Sequence, residues 1–328
     1  MVDDVARRVV TFTANPSIDR TLTLDRCLER GQVLRASGVT EQAAGKGVNV
    51  ARVVSASGLP VTVVAAALDR GFRNLAERAE APLTVLGQML DDGRRVRMNT
   101  TVTEPDGTTT KLNEPGPSLT PAQLAVAGDT LVDVAEGAAW VALAGSLPPG
   151  APDDWYALLA DRLSGLGCRI AVDTSGPALD ALLASMTAPI DLIKPNAEEL
   201  AQLTGGDAAA LEEAADRGDV SGVVEAARQL HARGIRAVLV TLGGAGAVLV
   251  TGEGAWFAAA PPTDVRSTVG AGDSAVAGYI LAHVRGLDPA SCLASSIAYG
   301  SAAASLPGTT LPTPADLTAE KIDVVAIG

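Results

Sequence analysis

Six short apolar runs recur along this chain: Val9–Ala14, Val61–Ala67, Trp140–Ala144, Arg169–Asp173, Ile190–Ile193 and Ala237–Thr241, each closed by Gly, Pro, Asn or Asp. Runs this short and this continuously apolar read as strands buried on both faces, and a parallel sheet covered by helices on each side provides that burial. The stretches between them, Val48–Ser57, Pro121–Glu136, Asp153–Leu166, Ala178–Ser185, Ala197–Thr204 and Val223–Arg233, read as those helices. The fold class is therefore α/β. Ala245–Val250 and Ala255–Ala259, joined by Thr251–Gly254, read as a hairpin appended to the sheet, and Asp273–Arg285 and Pro289–Ser305 as two closing helices.

Two segments break this rhythm. Residues 20–43 and 94–114 are polar and Thr-rich, with alternation in place of helical periodicity, and Glu104-Pro105-Asp106-Gly107 is a turn sequence between two Thr-rich arms. Strands from two distant segments can only cover a domain, so residues 1–328 are expected to form one domain with a small β-sheet lid. Asp207–Asp219 reads as an acidic, Ala-rich surface insertion without chemistry.

Charge narrows the function. With 25 Lys and Arg against 38 Asp and Glu, the net charge is −13, which argues against nucleic acid as a partner. No apolar run reaches the ~20 residues of a membrane span. The start, MVDDVARRVV, lacks a signal-peptide layout, and a cytoplasmic protein is expected. Cys27, Cys168 and Cys292 are scattered and suggest neither disulfides nor zinc. Four residues are Lys (Lys46, Lys111, Lys194 and Lys321), so a Lys inside a motif carries weight.

Several motifs stand where strands end or helices begin. Val269-Gly270-Ala271-Gly272-Asp273-Ser274 precedes an apolar helix. Unpaired amides at such a start suit a phosphate or a developing oxyanion, with Asp273 as a general base; an N-cap Asp after a Gly-rich turn is the plainer reading. The string also fits G-x-G-x-x-[GA], but without a following βαβ unit. Thr13-Ala14-Asn15-Pro16-Ser17-Ile18-Asp19 ends the first strand, and its Asn and Asp could hold sugar hydroxyls or form only an Asn-Pro turn. Gly45-Lys46-Gly47-Val48-Asn49 opens a helix and offers a charge to an anion, although no Walker loop occurs. Lys194-Pro195-Asn196-Ala197-Glu198-Glu199 fits either a capping box or the surroundings of a hydrated Mg²⁺. Thr241-Leu242-Gly243-Gly244-Ala245-Gly246 is a hairpin turn that could admit a nucleotide phosphate, and Gly145-Ser146-Leu147-Pro148-Pro149-Gly150 caps another strand.

In this order, from about Thr11 to Ser305, the motifs resemble the PfkB (ribokinase-like) carbohydrate kinases, in particular the hexose-phosphate branch that contains 1-phosphofructokinase and tagatose-6-phosphate kinase. The resemblance implies a ribokinase-like three-layer sandwich with a mostly parallel central sheet and a β-sheet lid. It implies ATP as phosphoryl donor with Mg²⁺, and a phosphorylated ketohexose as acceptor, fructose 1-phosphate first, with fructose 6-phosphate or tagatose 6-phosphate as alternatives. Asp273 would be the base, and the amides of Gly270, Ala271 and Gly272 the anion hole. Asp19, Gly45, Asn49 and Ser146 would hold the sugar, with Lys46 and Arg97 on its phosphate. Lys194, Asn196, Glu199, Thr241, Gly243 and Gly246 would serve ATP, with Asn196 and Glu199 reaching Mg²⁺ through water. The lid would clasp a homodimer. The chain departs from the family pattern at Ala44, at Val96 and Met98, and in the stretch 69–82, which has one glycine, Gly71. Two other functions compete: a catalytically silent sugar-phosphate sensor, and an NAD-linked dehydrogenase resting on the glycine string.

Overall fold

The computed structural model describes residues 7–79, 81–91, 93–318 and 321–328; the acidic start read at residues 1–6 lies outside them. In chain order the first half forms β1 (Val9–Thr13), β2 (Ser17–Thr23), β3 (Gly38–Ala44), α1 (Lys46–Ala56), β4 (Val61–Leu68), α2 (Arg70–Glu77), β5 (Thr84–Met89), β6 (Arg97–Thr103), β7 (Thr109–Asn113), α3 (Pro121–Ala135), β8 (Trp140–Ala144) and α4 (Trp155–Leu163). The second half forms β9 (Arg169–Asp173), α5 (Pro177–Ser185), β10 (Leu192–Ile193), α6 (Ala197–Thr204), α7 (Ala208–Asp216), α8 (Ser221–Ala232), β11 (Ala237–Thr241), β12 (Ala247–Thr251), β13 (Gly254–Ala258), α9 (Ala271–Val284), α10 (Pro289–Ser305) and β14 (Val325–Ile327).

Ten strands form one sheet in the order β14-β13-β12-β11-β10-β9-β8-β1-β4-β5. From β5 to β11 every pairing is parallel, and β12, β13 and β14 add antiparallel strands at one edge. The reason is visible in the side chains: β1 and β8 are buried at every position, as only a strand covered on both faces can be. On one face the sheet packs against Leu124 and Leu131 of α3, Leu159 of α4, Leu182 of α5, Leu200 of α6 and Leu230 of α8. On the other it packs against Val50 and Val53 of α1, Ile280 of α9 and Leu293 of α10. Three layers result.

The two polar segments form a separate four-stranded sheet in the order β3-β2-β6-β7. It packs on α1 and α2 through Ile18, Ala43, Val48 and Phe72. Burial on one face with Thr and charged residues on the other is what the alternation in these segments required.

Some boundaries differ from the sequence reading, each for a local reason. The expected strand Ile190–Ile193 pairs regularly only at Leu192–Ile193, with Ile190 in an isolated parallel bridge to Ile235; beside it the buried carboxylate of Asp191 accepts the Ile170 N–H at 2.9 Å. The helix expected over Asp153–Leu166 ends at Leu163 in a 3₁₀ turn closed by Gly167 at φ 76°. The insertion at Asp207–Asp219 contains α7, capped by Asp207 on the amides of Ala209 and Ala210. The stretch 69–82, with its one glycine, holds α2, whose cap Asp69 accepts from Phe72 N and also from Val96 N. That second bond ties down Val96 by its backbone. Ala44 ends β3 opposite Ser17, in extended conformation, so no glycine is required there.

Candidate active site

Register carries the first functional residues to one edge. Thr13, Ala144 and Asp173 are neighbours at the carboxyl ends of β1, β8 and β9, and Lys194 follows directly on β10. Loops at this edge of an open parallel sheet form the crevice where ligands bind. Two helices begin there. α1 starts at Lys46, two residues earlier than its apolar pattern shows, after Gly45 at φ 123°; a Cβ on Gly45 would lie 2.6 Å from Thr13 Cγ2. Glycine thus lets the helix start press against β1, placing Lys46 and Asn49 in its first turn.

α9 begins at Ala271 after Gly270, whose φ of 76° is left-handed, and no side chain caps it. Its first regular bond is Ser274 N–H to Gly270 C=O at 2.8 Å; Gly272 and Asp273 N–H have no backbone acceptor among the described residues. These free amides and the helix dipole make an anion site. Asp273 is 7% exposed and accepts from Asn49 Nδ2 at 2.7 Å, so the α1 motif and the α9 motif meet side chain to side chain. Lys194 Nζ sits over Gly272, 3.1 Å from where a Cβ would stand.

Between these groups lies Asp173, which no motif singled out. Its Oδ1 is 3.1 Å from Lys46 Nζ and 3.6 Å from Lys194 Nζ. Burial pushes the Asp173 carboxyl up, but Lys194 and Lys46 together hold it below the usual carboxylate range. Loss of water pulls Lys46 down, yet Asp173, then Asp273 and Glu199, hold it above its ordinary value. Asp273 is pushed up to about 6, by burial first and by the like charge of Asp173 second. A carboxylate held this way is poised to take a proton near neutrality.

On the lid side, Asp19 Oδ1 accepts from Ser17 Oγ at 2.9 Å and from Asn99 Nδ2 at 3.0 Å. Asn99, the cross-strand neighbour of Asp19 in β6, was missed by sequence reading; its signal was pairing between two segments 80 residues apart. Arg97 Nε donates to Asn15 C=O at 3.2 Å, and burial pulls its guanidinium down. Arg97, Asn15 and the exposed Ser146 line a cleft of about 460 Å³ beside Pro115 and Leu147. The amide of Asn15 donates to the Pro115 and Leu147 carbonyls, so it holds two loops in place of a free turn.

The plainer reading of Asn196 and Glu199 is realised. Asn196 caps α6 by accepting Glu199 N–H at 2.7 Å, and Glu199 returns the bond to Asn196 N–H at 3.0 Å. Glu199 also lies close enough to Lys46 to raise it, and its second oxygen takes no hydrogen bond among the described residues. Thr241 bridges to Asn196 at the end of β11. Gly243 at φ 56° faces open space, whereas a Cβ on Gly246 would run into the Ala258 carbonyl, so Gly246 serves the hairpin packing. No group of three or more His, Cys, Asp or Glu side chains fit to hold a metal occurs among the described residues. One carboxylate with a free oxygen fits a hydrated Mg²⁺ reached through water and does not fit a protein cage.

The dinucleotide reading of the glycine string fails on topology: α9 leads into α10, and among the described residues the strand that follows, β14, is antiparallel to its neighbour β13. The sensor reading predicts loss of the base or of the anion hole, and the carboxylate and the open amides are both present. All three cysteines are free thiols. Among the described residues no helix is long and apolar enough to cross a membrane.

The geometry can be set beside known proteins. A 1-phosphofructokinase of Rhodobacter capsulatus is 38% identical over 321 residues, covering 95% of each chain. Another from Haloferax volcanii is 34% identical, covering 96% of this chain and 97% of the relative. The crystal structure of phosphofructokinase-2 from Escherichia coli in complex with substrates and products superposes with a TM-score of 0.82 at 28% identity, over 94% of this chain and 96% of the other. Residues 12–316 match the pfkB family carbohydrate kinases, and the chain belongs to that family.

Proposed function

We propose that the chain is an ATP-dependent 1-phosphofructokinase, transferring the γ-phosphoryl of ATP to the free primary hydroxyl of fructose 1-phosphate and releasing fructose 1,6-bisphosphate and ADP. The observation that carries the reading is the buried Asp273, fixed by Asn49 beside the open amides of α9 with two lysines within reach. Phosphoryl transfer needs positioning and charge stabilisation more than covalent help. Asp273 accepts the proton of the attacking hydroxyl, and the amides of Gly270 and Gly272, with Lys194 over the latter, receive the charge on the moving phosphoryl group, whereas the Ala271 N–H, expected to join them, turns back to the Thr268 carbonyl at 3.4 Å. Asp19 and Asn49 orient the sugar, Gly45 and Ser146 admit it, and Arg97 meets its phosphate; Lys46, expected on that phosphate from the sequence, pairs with Asp173 near Asp273 and so serves the transferring end. The relatives' shared name supports fructose 1-phosphate among the acceptors.

Asn196, Thr241 and Gly243 line the nucleotide side, with Glu199 holding Mg²⁺ through water. That ion supplies charge neutralisation on the phosphate oxygens when bound. Residues 1–328 act as one kinase domain under a two-segment lid. Val33, Val39 and Leu112 expose apolar side chains on that lid, which supports a homodimer clasped there. Free thiols throughout suit the reducing cytoplasm. Product formation from fructose 1-phosphate, fructose 6-phosphate and tagatose 6-phosphate at equal concentration tests the assignment. Fructose 1-phosphate is expected to give the highest kcat/KM, and a preference for free fructose or ribose would remove Arg97 from phosphate binding.

A further inference from the structure

Asp173 is buried at 3% exposure and has no solvent to stabilise its charge. Its Oδ1 takes both lysines, and its Oδ2 has no hydrogen-bond partner among the described residues. A lysine ammonium sits on a flexible four-carbon stem, so holding two of them at one point requires a fixed counter-charge. Asp173 is fixed by its place at the end of β9, in register with Ala144. The two lysines come from different elements, Lys46 from the first turn of α1 and Lys194 from the β10–α6 connection. They share no other carboxylate within ion-pair distance among the described residues.

We infer that Asp173 is a positioning residue for phosphoryl transfer: it anchors Lys46 and Lys194 on a single oxygen, so that both ammonium groups stand at the α9 anion site beside Asp273. The inference rests on the kinase reading above and adds a residue that touches neither sugar nor nucleotide. The purely structural alternative is an ion cluster that only neutralises a buried carboxylate. The two alternatives differ at Asp273. The charged groups around that carboxylate are Asp173 from β9, Lys46 from α1 and Lys194 from the β10–α6 connection; Asn49 of α1 adds a hydrogen bond, and Glu199 of α6 acts on Lys46. Asp173 opposes ionisation of Asp273, and the lysines favour it.

The test is the pH profile of kcat/KM for fructose 1-phosphate in the wild type, D173N, D173E and K194M, with thermal denaturation as the check on folding. Removing the like charge in D173N is expected to move the acid limb down from about 6, by roughly one unit, and lowers kcat by about 10²-fold as the lysines lose their anchor. K194M moves the limb upward, the opposite direction, because a favourable charge is lost. D173E retains the charge and recovers part of the turnover. Folded variants with unmoved limbs and kcat within about twofold of wild type would overturn the inference. If D173N does not fold, the kcat of folded D173E and K194M decides it: a loss of about tenfold or more in both supports the inference, and turnover within about twofold of wild type in both overturns it. A wild type inactive with every sugar phosphate would instead overturn the kinase reading itself, and this inference with it.

Discussion

At the residue scale, the proposed chemistry depends on one carboxylate kept out of water. Asp273 would be an ordinary acid on the surface; in its crevice, burial and the neighbouring Asp173 push it up to about 6. The sign of the pH dependence follows. Above that value Asp273 is ionised and, in the proposed reaction, accepts the hydroxyl proton; below it that base is lost. We expect kcat/KM for fructose 1-phosphate to fall about tenfold per pH unit below pH ~6, the limit for loss of a single base. Steady-state rates over that range check this, and a limb near pH 4 would mean that Asp273 is solvated when the enzyme turns over. The position at which Asp273 sits was legible in the sequence, because glycines followed by an acid at a helix start leave few meanings. Its partner Asn49 was legible as a motif member. The contact between them was not, since it joins residues 224 apart.

At the element scale, α9 presents the site and must be held rigidly. It packs on α10 so closely at Gly278 that a Cβ there would stand 2.5 Å from the Ser295 carbonyl oxygen. Gly278→Ala is expected to cost about 1–3 kcal/mol of stability by overpacking, seen as a lower denaturation midpoint, while KM for both substrates stays near wild type. An unchanged midpoint would show that α10 gives way freely. The strands were legible at this scale because β8, β9 and β11 are continuous apolar runs, and their boundaries match the sequence reading to the residue. β5 and α2 were not. The burial of β5 is mostly partial, without a clean alternation, and α2 carries two buried residues, Phe72 and Ala76, too few to mark a period. The dual role of Asp69, capping α2 and tying Val96, depends on a contact 27 residues away and leaves no local trace.

At the scale of the whole molecule, the face of the small sheet that packs on α1 and α2 at Ile18 and Ala43 runs on, uncovered, to Val39 and Leu112, 58% and 62% exposed. The double variant V39D/L112D is expected to convert a dimer to a monomer in sedimentation and to leave Asp273 chemistry in place; an unchanged sedimentation coefficient would place any interface elsewhere. The central claim is that the start of α9 transfers a phosphoryl group with Asp273 as base. Its most direct measurement is turnover of the Asp273→Asn variant with fructose 1-phosphate and ATP, with binding of both substrates followed in parallel. The account predicts a kcat lowered by about 10²–10⁴-fold with binding retained. A kcat within a few-fold of wild type would contradict it.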